Sequence, residues 1–498
     1  MALAFILSPL LVVAIGALLL MLAEALGPKN NRTSGLALGC TIVFGAGFAF
    51  SVGAWMYGVD DVADREALAP WLVIDHFSLF FDGLLCLGGA LAALLAGGYL
   101  REHEMERGEF YALLLFSTVG AMMVASAGDA LIVFLGLETM SLGVYALTAF
   151  RRTSPRSAEG ALKYFLLGSF AAALLLYGFA LLYGATGHTD LAGIGESIRS
   201  GGASNTMVLI AVVLVLVGLV FKISAVPFHM WAPDAYEGAP TPATTYMAVV
   251  VKAGAFAMML RVLLTCFSDT GLMSWSAGWP PVLAWIAVLT MIVGNLVAGQ
   301  QESVKRMLAY SSVAHAGYLL VGVVATAHSA QSATSSVLFY LLTYTVSTAG
   351  AFGALILCGR KGAEAVSYED LAGIGRRHPA AALAFSLFLV SLAGIPPTAG
   401  FFGKWFVFRA AMDAGYYALT IIAFMTSVIG AYYYLRVLVF MYMREPAAGA
   451  PVATPMRSGY VATALVLSAV LVLILGILPS HSLDVAIKAA SVFGQPGT

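Results

Sequence analysis

Apolar residues in this chain do not recur at the spacing of a half-buried helix or strand. They run on for eighteen residues or more, stop at a short polar stretch, and begin again. As an α-helix, a run of that length crosses the ~30 Å hydrocarbon core of a bilayer, and a helix apolar all round has no face to offer water. Fourteen spans are predicted, over about 2–26, 35–57, 76–100, 110–127, 129–150, 161–184, 206–230, 240–266, 280–299, 306–327, 334–359, 380–413, 416–443 and 459–478. The pattern therefore predicts an all-α, polytopic membrane protein. The first run has no basic stretch before it and is too long for a cleaved signal core, so it is read as a retained helix.

Composition agrees with the pattern. Hydrophobic residues make up 60% of the 498 and charged residues 10%, against roughly 45–50% and about 25% in soluble domains. Mean hydropathy is +0.91. These values exclude a soluble enzyme, a coiled coil and a disordered chain. A net charge of −1 leaves no basic face for nucleic acid. Cys40, Cys86, Cys266 and Cys358 stand apart, with no Cys-x-x-Cys pair, and there is no glycine-rich nucleotide loop. No metal or cofactor is expected in this chain.

Lys and Arg gather in cytoplasmic loops, which gives the span count a test. With the amino terminus outside, inward loops hold fifteen bases: Lys29, Arg32, Arg101, Arg107, Arg151, Arg152, Arg156, Lys305, Arg306, Arg360, Lys361, Arg376, Arg377, Arg444 and Arg457. Outward segments hold four, Arg65, Arg199, Arg409 and Lys488. One missed span would scramble this alternation. The loop after span 7 is the weak point, because it carries Asp234 and Glu237 but no base.

Six bases remain. Lys163, Arg261 and Arg436 lie near helix ends or within reach of them by snorkelling, but Lys222, Lys252 and Lys404 fall well inside spans. Glu138 is the acid read as lying deep in a span, whereas Glu24, Asp82 and Asp129 are read as interfacial. At mid-bilayer each charge costs on the order of 2.5–3.5 kcal/mol. Glu138, Lys222, Lys252 and Lys404 must therefore face the bundle interior, water or one another, and Glu138 is expected to pair with Lys222. His315 shares a helical stripe with Ser311, Ser312 and Tyr318, and a second stripe runs through Tyr340, Tyr344 and Ser347. His229, two residues after Pro227, is a further candidate.

Pro227 in span 7 and Pro396–Pro397 in span 12 remove backbone donors inside apolar runs. They should leave carbonyls free near Ile223 and near Leu392–Ala393, which persist in a membrane only where buried or hydrated. Laying spans 4–8 on spans 9–13 sets Glu138 opposite His315, Tyr164 opposite Tyr340 and Lys222 opposite Lys404. A five-helix unit crosses an odd number of times, so its second copy runs inverted, as in many ion-coupled transporters. The expected organisation is a three-helix segment at 1–109, inverted five-helix repeats at 110–266 and 280–443, and a C-terminal helix and tail at 459–498.

A lysine amine in water holds its proton too tightly to relay it. Burial favours the neutral form and a nearby carboxylate the charged one. Glu138 approaching or leaving Lys222 would thus trap or release a proton, which Lys252, His315 and Lys404 could take in turn. Sodium would need oxygen ligands, and three lysines and a histidine offer donors instead.

The segments "GLETMSLGVYALTAF", "EGALKYFLLGSFAAALLLYGFALLYGATG", "FKISAVPFHMWAPDAYEGAPTPATTYMAVVVKAGAF", "KRMLAYSSVAHAGY" and "GIPPTAGFFGKW" resemble the antiporter-like membrane subunits of respiratory complex I, the proton-pumping NADH:quinone oxidoreductase. The resemblance covers roughly residues 75–445. It implies a Glu–Lys pair at Glu138 and Lys222, a central lysine at Lys252, a histidine at His315 and a terminal lysine at Lys404, which together relay protons outward. A lysine rather than an acid at position 404 fits the family member between subunit M and the quinone-proximal subunits, subunit K and its neighbours. Flavin, iron–sulfur clusters and quinone would then belong to partner subunits. The chain would lie among lipids of a bacterial inner membrane, both termini periplasmic. The alternatives are a subunit of a multi-subunit monovalent cation/proton antiporter, or a purely structural subunit that transmits strain.

Overall fold

The computed structural model describes residues 2–26, 35–57, 68–201, 205–359, 364–446 and 453–494. Among the described residues twelve continuous helices are long and apolar enough to cross a bilayer: Ser8–Leu26, Leu36–Tyr57, His76–Glu102, Gly108–Ala125, Ala130–Thr148, Pro155–Thr186, Thr241–Cys266, Trp279–Gly299, Val304–Ala325, Ala330–Leu357, Tyr417–Met443 and Gly459–Ile477. The remaining two expected spans are each split. Span 7 is Thr206–Lys222 followed by Trp231–Gly238, and span 12 is Pro379–Ala393 followed by Ala399–Asp413. All fourteen expected spans are therefore present, and both interruptions fall at the prolines.

Short polar residues start the spans where the apolar runs begin. Asp75 and Ser78 form a reciprocal cap on span 3, and the Asp129, Ser154 and Ser303 side chains accept from the first free amides of spans 5, 6 and 10. Spans 3, 8, 10 and 11 are largely enclosed by protein, whereas spans 1, 2, 6, 9, 13 and 14 show most of their surface outward. Three features were not expected. Helices Leu191–Arg199 and Pro479–Ala490 lie outside the spans, and Met247–Val251 in span 8 is a turn of π-helix.

Asp234 and Glu237, expected in a loop after span 7, lie in its second helical half and find their partners on neighbouring spans. Asp234 pairs with Lys163 at 2.7 Å and with Arg306 at 2.9 Å, while the Glu237 carboxylate accepts from the Ser303 hydroxyl at 3.1 Å. This half-helix thus belongs to the base-rich end. Lys29, Arg32, Arg65, Arg360 and Lys361 lie outside the described residues.

Arg261 does not snorkel. Its guanidinium donates to both Asp75 oxygens, at 2.6 and 2.9 Å, and to the Ala125 carbonyl at 2.9 Å, between the rings of Phe77 and Phe493. Asp82 is likewise enclosed by protein. It lies in the second turn of span 3, 4% exposed, and its Oδ1 has no hydrogen-bond partner among the described residues. Asp129 is buried as a cap that also accepts from the Thr189 hydroxyl.

Removing one member of a buried, bidentate pair strands the other charge, at a cost of about 3–5 kcal/mol. Arg261→Leu should lower the melting temperature sharply in detergent, and Arg261→Met combined with Asp75→Leu should recover most of the loss. Equal melting of the single and double variants would contradict this account.

Candidate functional site

Both helix breaks are built the same way. Span 7 ends its first half with the Ser224 amide donating to Phe221 O and the Ala225 amide to Val220 O. Span 12 does so with Gly394 to Ser391 O and Ile395 to Val390 O. Ser224 and Gly394 take left-handed backbone angles, φ +63° and +86°, three residues before Pro227 and Pro397. At Gly394 a side chain would meet Lys404, whose Cδ lies 3.0 Å from where a Cβ would stand, so glycine serves there for close approach as well as conformation. The two breaks match with a spacing of 170 residues (394 − 224), and in that register Lys222 precedes its break whereas Lys404 follows its own.

The freed backbone groups have partners. Ala393 O accepts from the Lys404 amine at 2.9 Å, Phe221 O from the Trp231 indole at 3.2 Å, and the Val226 amide donates to Thr290 Oγ1 at 2.9 Å. Broken helices tolerated where neighbours re-satisfy them are the membrane rule, and at Lys404 the neighbour is the candidate residue itself.

Each buried lysine rests on neutral oxygens. Lys222, 4% exposed, donates to Ser141 Oγ at 2.7 Å and to the Tyr164 hydroxyl at 3.3 Å. Lys252 follows directly on the π-turn and donates to both the carbonyl and the hydroxyl of Ser312, which also receives Tyr344 OH at 2.8 Å. A π-turn shifts the helical register by a residue and is frequent at functional positions. Lys404 donates to Ser427 Oγ at 2.9 Å in addition to Ala393 O.

Glu138 and Lys222 are not in direct contact. Among the described residues no ion pair joins them, and Ser141, one turn on from Glu138, holds the amine instead. Glu138 is half-buried on a small cleft lined by Leu137, Ser141, Tyr145, Gly168, Phe221 and Lys222, with room for about one water. Its Oε1 has no hydrogen-bond partner among the described residues. Position along the sequence could not show the separation, because it depends on how spans 5 and 7 cross.

His315 is 2% exposed and lies between two hydroxyls, Tyr340 at 2.7 Å from Nδ1 and Tyr434 at 3.1 Å from Nε2. Tyr434 also bonds Ser311. One side of this group reaches Lys252 through the adjoining Ser312. The other leads through the ring of Tyr318, at 5.7 Å, toward Lys404, whose amine lies over that ring at 5.2 Å. Between Lys222 and Lys252 the connection is aromatic. Tyr164 stacks on Trp231 at 3.9 Å, and Trp231 meets the ring of Tyr236 at 6.3 Å. Lys222, Lys252, His315 and Lys404 thus form one buried row. His229 stands apart from it, on the outward-facing stretch of the span 7 break with the exposed Met230.

Tyr434, Ser427 and Trp231 were absent from the sequence candidates. Span 13 has no buried charge to draw notice, and Tyr434 is one of three consecutive tyrosines that its run does not distinguish. For metals, no group of three or more His, Cys, Asp or Glu side chains placed to hold an ion occurs among the described residues.

A family model described as NADH:quinone oxidoreductase/Mrp antiporter, transmembrane, matches residues 127–430. The chain is 66% identical over 494 residues to NADH-quinone oxidoreductase subunit N 1 of Sorangium cellulosum, covering 97% of both chains. It is 44% identical to NADH-quinone oxidoreductase subunit N of Trichlorobacter lovleyi, over 98% of this chain and 97% of that one. Among solved structures it is similar to a chain of respiratory complex I from Thermus thermophilus with bound aureothin, at 35% identity and a TM-score of 0.78, covering 96% and 98%. A chain of the Mrp complex from a Dietzia species shares the fold, at 24% identity and a TM-score of 0.85, covering 99% and 98%.

Buried amines held by neutral oxygens alone carry an uncompensated desolvation cost. Lys252→Met and Lys404→Met are therefore expected to leave stability unchanged or to raise it by about 1 kcal/mol or more, read as melting temperature in detergent. A fall of several degrees in both variants would mean that the amines hold the bundle together.

Proposed function

The chain belongs to the family of NADH-quinone oxidoreductase subunit N, and from that premise we propose that protons cross it along the buried row formed by Lys222, Lys252, His315 and Lys404, with Glu138 at its head. As a member of this family it is a multi-pass membrane subunit of respiratory complex I, the proton-translocating NADH:quinone oxidoreductase, which includes other membrane-arm subunits. At 66% and 44% identity these relatives favour that reading over a monovalent cation/proton antiporter, because the Mrp likeness is one of fold alone.

One observation carries the proposal: three amines and an imidazole lie buried in the bundle, each bonded to a hydroxyl able both to accept and to pass a proton. A hydroxyl is donor and acceptor at once, so Ser141, Ser312, Tyr434 and Ser427 can hand a proton on by reorienting. The gap between Glu138 and Lys222 supports the same reading. A direct ion pair would pin the proton on the amine, whereas a carboxylate one residue removed can draw the charge toward itself or let it go. Two like charges along so short a row repel, which makes proton arrival at one site favour departure from the next. Amines and hydroxyls in this order also suit protons better than a metal cation, which would need a cage of oxygens.

The same reading takes the base-rich end as cytoplasmic. With an even number of crossings both termini are then periplasmic, in a bacterial inner membrane among lipids. It treats 110–266 and 280–443 as inverted repeats, supported by the matching backbone of the two breaks, whose spans run in opposite directions. It sets subunit M on one flank and subunit K with its neighbours on the quinone-proximal flank, and assigns flavin, iron–sulfur clusters and quinone to partner subunits. His229, off the row, is given no part.

Lys222→Ala and Glu138→Ala are each expected to slow proton translocation by about tenfold or more, the range of a lost proton-transfer group, while the complex still assembles. The measurement is proton uptake per NADH oxidised by the purified complex in liposomes. Unchanged rate and stoichiometry in both variants would mean that protons do not use this row.

A further inference from the structure

The base-rich end holds a second buried charge cluster, which the row does not use. Glu364 lies in the connection between spans 11 and 12, yet its side chain is 16% exposed among groups from four other spans or their ends. Tyr99, near the end of span 3, donates its hydroxyl to Oε1. Thr241, the first residue of span 8, donates to the same oxygen at 2.6 Å. Lys305 of span 10 reaches Oε2 at 3.3 Å, and Arg151, just past span 5, lies 3.9 Å from Oε1 and donates to the Tyr99 hydroxyl at 2.7 Å. His103 stacks on the Tyr99 ring at the edge of the cluster.

Lys305 carries the contact onward. It is 1% exposed, and it also donates to the carbonyls of Ala239 at 2.7 Å and Glu237 at 3.3 Å, where the second half of span 7 ends. A cation is favoured there, because the last carbonyls of a helix lack partners of their own. Thr241 opens the helix that bears Lys252 about three turns further on. One carboxylate therefore bears on both the broken half of span 7 and the start of the span that carries the central lysine.

This carboxylate is built to hold rather than to carry. Burial pushes its carboxyl up, but Lys305, the Thr241 and Tyr99 hydroxyls and Arg151 together outweigh burial and bring it down to about 2. It therefore remains ionised at any pH at which the protein works. Without it Lys305 and Arg151 would lack a counter-charge, and a buried cation so stranded turns toward water, loosening the ends it had held.

We propose that Glu364 is a positioning residue, a latch that ties the span 11–12 connection across the base-rich ends of spans 3, 5, 8 and 10 and, through Lys305, fixes the second half of span 7, closing the proton row against back-flow from that side. The inference rests on the proton-row reading only in that the row is what the latch closes. Its test needs no turnover.

The purified complex in liposomes carrying an imposed pH gradient, without NADH, reports passive proton permeability. Glu364→Gln is expected to raise that permeability at least threefold while NADH oxidation with quinone stays within twofold of the unmodified complex. The increase should be equal at pH 6 and pH 8, because Glu364 does not titrate between them, and Glu364→Asp should restore most of the seal. Lys305→Met, which breaks the latch from its other side, should leak in the same way. Wild-type permeability in both Glu364→Gln and Lys305→Met would overturn the latch. So would a leak confined to one pH, or failure of both variants to assemble, which would make the cluster plain scaffold. If Lys222 and Glu138 variants pump normally while Glu364→Gln still leaks, the row is wrong, and only the seal at this end, not what it closes, stands.

Discussion

A protonated amine inside a bilayer costs on the order of 2.5–3.5 kcal/mol on insertion scales, and this chain holds three. That cost is met without carboxylate partners. Lys222, Lys252 and Lys404 rest on hydroxyls and backbone carbonyls, each side chain itself buried. Much of the local irregularity follows from this constraint. The span 12 break frees the carbonyl that Lys404 uses, and the π-turn sits just before Lys252. Neutral acceptors steady a charged amine without trapping its proton, which is the condition a relay needs.

The ends of the bundle obey the opposite rule. Arg261 with Asp75, Lys163 and Arg306 with Asp234, and Lys305 with Glu364 are true ion pairs, the first of them deeply buried. Opposite charges in contact fix geometry and resist titration. The protein thus segregates its ionisable groups: carboxylates face bases where spans must be anchored, and are kept from them where charge must move. Glu138 stands at the border between the two regimes, half-buried on the small cleft that it shares with Lys222.

Much of this was legible in the sequence. Run length gave the spans, prolines gave both breaks, and the carbonyl expected to be free near Ala393 is the one Lys404 bonds. What escaped the sequence depends on how helices cross. A Glu138–Lys222 pair is the natural expectation where no other acid lies deep in a span, but the crossing of spans 5 and 7 sets the Lys222 amine on Ser141. Tyr434 and Glu364 carry no local pattern, since each matters only for the residues that other helices bring to it. The acidic loop after span 7 looked anomalous for the same reason, its bases being on spans 6 and 10.

The most direct test of the central claim is a density map of the assembled complex at a resolution that shows ordered water. The account predicts waters in the two stretches where side chains alone do not close the row, beside Trp231 between Lys222 and Lys252, and beside Tyr318 between His315 and Lys404. Dry, close-packed side chains filling both stretches, or lysine amines turned outward to acyl chains, would contradict it.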